Sequence, residues 1–233
     1  MRKNLKLFAL LIIVLFIYAG CGIAINHYGG SLYLSWLFWN LFLAVLPVFF
    51  ALGAQMLLHW NLFTIGLSVL WLLFLPNACY MVTDLIYLDS SSFVGSQDIY
   101  LQNLSAWIEL FYIASGVFFA MVSGLFSTYL ITQKLHFKSY LLRLLWIVLI
   151  SLLCGYGVYI GRFLRLNSWD ILHPFSLFQK LLENINAFTI IFTCMIAVFY
   201  FTAYIIFETM MTSHHENQSI GSYFYPISFT IES

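Results

Sequence analysis

Asn77, Tyr80, Asp84 and Tyr87 recur at i, i+3, i+7 and i+10. On a helix that spacing lines four polar groups along one face. They sit in the run Leu75-Pro76-Asn77-Ala78-Cys79-Tyr80-Met81-Val82-Thr83-Asp84-Leu85. A second polar run, Gly157-Val158-Tyr159-Ile160-Gly161-Arg162-Phe163-Leu164-Arg165-Leu166-Asn167-Ser168-Trp169-Asp170, places Arg162 and Arg165 three residues apart, on a shared face. A planar guanidinium grips phosphate or carboxylate through paired hydrogen bonds. The chemistry these residues suit is anion recognition, with Arg162 and Arg165 as clamps and Asp84 or Glu109 as base. Asn167 or Ser168 can cap a following helix with Asp170 in its first turn. Asn40 and Asn77 fall just beneath this cluster. An ion-pair network that only ties helices together uses the same residues equally well, so both readings stand.

The elements that must position these groups are membrane helices. The chain is 63% hydrophobic, 20% aromatic and only 8% charged, with mean hydropathy +0.94. Soluble domains carry about 25% charged residues, so this composition cannot coat a water-facing surface. The fold class is all-α, a polytopic membrane protein with six transmembrane helices and a short interfacial helix on the outer side. A span takes roughly 20 apolar residues, which predicts helices over 5–25, 32–58, 62–82, 107–131, 141–161 and 187–207. Together they make one transmembrane domain, 1–211, followed by a polar cytoplasmic tail, 212–233, read as unstructured. Pro47 predicts a kink in the second helix. The third is interrupted by Pro76. Its run from Leu62 to Leu75 covers only about 21 Å, so Asn77 would lie inside the bilayer, where its amide needs a partner.

Lysine and arginine set the orientation. Arg2, Lys3, Lys6, Lys134, Lys138 and Arg143 fall on one side of a six-span layout, against Arg162, Arg165 and Lys180 on the other. The six-to-three bias puts both termini in the cytoplasm and both polar runs outside. Trp36, Trp39, Trp60, Trp107 and Trp169 sit near the proposed span ends, as an aromatic belt would. Ala19-Gly20-Cys21 after a basic, apolar start also suits a lipoprotein signal, although Tyr18 is a poor fit three places before the cysteine; an uncleaved first helix is the plainer reading.

Outside the spans, 89–98 reads as a polar loop. Phe175, Phe178, Leu181, Leu182 and Ile185 recur at helical spacing behind a Ser176/Gln179 capping box, which predicts the interfacial helix at 175–186. The four cysteines are far apart and read as buried thiols, with no metal-ligand spacing. His173 stands alone, and His214-His215 lies in the tail. No metal site or cofactor is expected. Zero net charge gives no reason to expect nucleic acid.

Pro-Asn-Ala-x-Tyr-x-x-Thr-Asp-Leu-Ile, followed by Tyr-x-Gly-Arg-Phe-Leu-Arg-x-Asn-Ser-Trp-Asp, resembles a bacterial integral-membrane family, the domain of unknown function numbered 1361. The resemblance runs roughly from the second helix to the sixth. The family's motif reads Pro-Asn-Ala-Pro-Tyr, and Cys79 takes the second proline's place here. The resemblance implies a bacterial cell membrane and supplies no activity. The functions in view are therefore three. One is an outward site for an anionic lipid head group or cell-envelope precursor, binding or enzymatic, built from Asn77, Tyr80, Asp84, Glu109, Arg162, Arg165, Asn167 and Asp170. The second is an accessory or scaffold subunit for a membrane-protein partner, its motifs structural. The third is a facilitator-type transporter, against which stands the lack of a charged residue at mid-membrane. Membrane lipids are the expected surroundings in each case, and the oligomeric state is left open.

Overall fold

The computed structural model describes residues 2–27, 34–57, 59, 61–88, 92–94, 100–164 and 184–224. Arg165, Asn167, Asp170, most of the 89–98 loop and the interfacial segment up to residue 183 lie outside the described residues. Within them the chain is helical, apart from short connecting segments and an isolated bridge between Val94 and Tyr100. Six helices are long and apolar enough to cross a membrane: Ala9–His27, Trp36–Met56, Leu62–Tyr87, Leu104–Leu135, Tyr140–Leu164 and Ala187–Ser213.

In chain order the elements are α1 (Arg2–His27), α2 (Leu34–Met56), α3 (Leu62–Phe74), α4 (Pro76–Tyr80), a 3-10 segment (Met81–Tyr87), α5 (Leu104–Leu135), α6 (Tyr140–Tyr159), a π-helical turn (Ile160–Leu164) and α7 (Ala187–Phe224). Short polar residues start four of them. Asn61, Asn103, Ser139 and Asn186 each accept a hydrogen bond from a backbone N–H of the first turn, satisfying a donor that the helix itself cannot. Lys134 donates to the Leu57 carbonyl just past the end of α2, at 2.8 Å, where a helix terminus favours a cation.

The third span breaks at its proline as the sequence predicts, and the start of the tail departs from the sequence reading. α2 runs through Pro47 as one helix. The third span is interrupted where Pro76 lacks an N–H: α3 stops at Phe74, α4 restarts at Pro76, and the chain then tightens into 3-10 geometry. The tail from residue 212 is not irregular at its start, because α7 continues to Phe224.

The bundle packs in two clusters. One joins α1, α2 and α5 around Leu41, Val45 and Ile113. The other joins α2, α3, α5, α6 and α7 around Trp71, Ile147 and Tyr200. The broken third span lies between them, with Ala78 in the first cluster and Cys79 in the second. Small residues make room for it, as membrane helices need where lipid gives no hydrophobic push. A Cβ on Gly124 would lie 2.6 Å from that of Ala78, and one on Gly157 would lie 2.7 Å from Pro76 Cβ. Two buried polar pairs cross the helices: Trp71 donates its indole N–H to Ser127 at 3.0 Å, and Thr128 and Tyr200 share a hydrogen bond of 2.7 Å.

Candidate functional site

Two irregular backbone segments meet at one end of the bundle. The 3-10 segment carries Thr83, Asp84 and Tyr87, and the π-helical turn carries Arg162. π-turns insert an extra residue into a helix and recur at functional sites. Glycines set the approach. Gly157 takes the Pro76 ring and Gly161 takes the face of Tyr80, its Cβ position 3.4 Å from the ring. Gly157 and Gly161 are four apart, as are Pro76 and Tyr80, so the two helices mesh turn for turn. Arg162 follows Gly161 directly and Asp84 lies one turn beyond Tyr80, which brings the charges together.

Arg162 pairs with Asp84, Nη2 to Oδ1, at 2.6 Å. The other carboxylate oxygen accepts from the Asn40 amide at 2.9 Å. Asp84 is 1% exposed and the Arg162 side chain 16%. Thr83 completes the cage. Its hydroxyl donates to the Tyr80 carbonyl at 2.6 Å, leaving its lone pairs for Arg162 Nε at 3.0 Å and for Nη2. Arg162 Nη1 donates to the Tyr87 hydroxyl at 3.2 Å. The guanidinium also lies 4.2 Å above the Tyr80 ring centroid and 5.7 Å from that of Tyr87. Among the described residues, four of the five Arg162 N–H groups are thereby engaged, two at Thr83, one at Asp84 and one at Tyr87.

Of the residues singled out from the sequence, the structure gathers Tyr80, Asp84 and Arg162. Asn77 is turned elsewhere: its amide donates to the Phe74 carbonyl at 2.9 Å, satisfying an acceptor exposed by the break at Pro76. Glu109 lies half-buried on the second turn of α5, and the acid that Arg162 takes is Asp84. Thr83 was missed as a site residue. Its signals were adjacency to Asp84 and a place in the Thr-Asp part of the first polar motif, but its role depends on 3-10 geometry that the pattern does not announce.

A second ion pair marks the opposite end of α6. Arg143 binds Glu208, whose Oε1 also accepts from the Tyr204 hydroxyl at 2.7 Å. Nineteen residues separate Arg143 from Arg162, about 28 Å of helix, close to the roughly 30 Å of a bilayer core. The Asp84–Arg162 pair therefore belongs at a membrane edge. Among the described residues, no group of three or more His, Cys, Asp or Glu side chains is placed to hold a metal ion.

Chemically, the centre is a neutralised and immobilised arginine. It can orient an anion at its open edge, or it can serve only to fasten α2, α4 and α6 together. The family described as protein of unknown function (DUF1361) matches residues 39–216, which includes every residue of this centre. No curated protein and no solved structure matches the chain.

Proposed function

The chain belongs to the DUF1361 family of membrane proteins of unknown function, and from that premise we propose that it binds the anionic head group of a lipid or lipid-linked envelope precursor at the Asp84–Arg162 centre. The observation that carries this reading is the way Arg162 is held. Asp84, Thr83 and the Tyr80 ring fix its guanidinium, yet part of the side chain stays open beside the half-exposed Tyr87. A pre-oriented arginine at a membrane edge loses little freedom when an anion binds. A phosphate oxygen would take the fifth N–H and replace the Tyr87 hydroxyl at Nη1. Asp84 then keeps its own pair, so the ligand adds to the cage rather than breaking it. The proposed setting is a bacterial plasma membrane with the site outside and both termini in the cytoplasm, from the distribution of lysine and arginine.

The scaffold reading has its own support, because four engaged N–H groups already account for most of what Arg162 can donate. One experiment separates the two. The purified protein in nanodiscs is titrated with anionic and zwitterionic lipids, for wild type and for Tyr87→Phe. The binding reading expects preferential anionic-lipid retention that changes several-fold in Tyr87→Phe, with thermal stability nearly unchanged. Equal retention of both lipid classes by both proteins would leave the scaffold reading standing.

A further inference from the structure

The third and fifth membrane spans also bring together two thiols. Cys79 lies on α4 and Cys154 on α6, at 0% and 1% exposure. Their sulfur atoms are 3.1 Å apart, and both are free thiols. A disulfide bond measures about 2.05 Å, so roughly 1 Å of approach separates this contact from a bond. The backbone approach is already made, because Gly157, one turn beyond Cys154, takes the ring of Pro76, one turn before Cys79. Cys21 and Cys194 are exposed on α1 and α7.

We infer that Cys79 and Cys154 form a dithiol–disulfide pair oxidised by a bilayer-soluble two-electron oxidant of the quinone class. Two S–H bonds break and one S–S bond forms. The two electrons and two protons pass to the quinone, which becomes a hydroquinone. Both cysteines lie within membrane-spanning segments and neither has appreciable exposed surface. A water-soluble disulfide has no route to them, whereas a quinone partitions into hydrocarbon and meets the pair when the α4–α6 seam opens locally. The bond would join residues 75 apart in sequence and hold the register in which Arg162 meets Asp84. The inference rests on the thiol pair alone and does not require a ligand at Arg162.

The test uses the full chain with Cys21→Ser and Cys194→Ser, in nanodiscs, treated with a fully substituted short-chain quinone that cannot add thiols. The protein is then denatured, alkylated with N-ethylmaleimide and weighed by mass spectrometry. Two additions are expected before the quinone, none after it, and two again after dithiothreitol. A non-reduced digest should contain the Cys79 and Cys154 peptides joined, and Cys154→Ser should keep its single addition throughout. Should the double serine variant fold poorly, the unaltered chain gives the same answer, its additions falling from four to two with the same joined peptides. Persistence of both additions in the folded, quinone-treated protein overturns the inference, as does a bond joining two chains instead.

Discussion

Asp84 has one carboxylate oxygen on Arg162 and the other on Asn40, and almost none of its surface is exposed. Removing one partner of a buried ion pair leaves the other charge without solvent, which typically costs about 3–5 kcal/mol. Asp84→Asn should therefore lower thermal stability by that order, measured by unfolding in detergent or nanodiscs. Asp98→Asn, in the loop read as polar from sequence, is the reference and should stay within about 0.5 kcal/mol. Equal tolerance of the two changes would mean that the pair does not hold the bundle. Arg162→Lys is a finer probe. A lysine keeps the charge and can reach Asp84, but it lacks the planar fork that also serves Thr83 and Tyr87. We predict that Arg162→Lys restores part of the stability lost in Arg162→Ala and none of the anion selectivity, read from the same unfolding and lipid-retention measurements.

Helix contact in this bundle depends on where a side chain is missing, and glycine substitutions test it directly. At Gly157 a Cβ would press on the Pro76 ring, while at Gly66 nothing lies within 4 Å. Gly157→Ala should thus destabilise by about 1–3 kcal/mol, the usual cost of overpacking, whereas Gly66→Ala should be neutral or gain up to about 1 kcal/mol of helix propensity. Comparable unfolding temperatures for the two variants would contradict the meshing of α4 with α6. The contrast also shows what sequence can reveal. Apolar runs of spanning length, the break at Pro76 and the Gly157/Gly161 spacing were all legible, because each follows from local chemistry. The turn from α to 3-10 at Met81 and the π-turn at Ile160 were not, since no local residue preference marks either one. That is why Thr83 went unnoticed. Asn77, expected beside Asp84, instead serves the Phe74 carbonyl next to the break at Pro76. Glu208 was missed for a different reason: its partner Arg143 lies 65 residues away, and no pattern within either helix links them.

Seen whole, the molecule carries an ion pair at each end of α6, Arg143 with Glu208 and Arg162 with Asp84. The helix between them is about as long as a hydrocarbon core is thick, so the pairs fix which stretch of the bundle is immersed. They do not fix which end faces the cytoplasm, since each pair is neutral. Orientation must come from the distribution of basic residues, and that is asymmetric. Six lysines and arginines lie on the Arg143 side in the six-span layout and three on the Arg162 side. The positive-inside rule counts lysine and arginine and largely ignores acids, so the acidic partners of Arg143 and Arg162 do not offset the bias. We predict that a periplasm-active reporter fused at residue 95 is active and one fused at residue 214 is silent, with a cytoplasm-active reporter giving the opposite pattern. Moving the bias should move the protein: Lys134→Gln with Lys138→Gln leaves four basic residues against three and should yield a mixed population. A chain that reports residue 95 as cytoplasmic would place the Asp84–Arg162 centre on the inner face, and the anionic head group it meets would then belong to the inner leaflet.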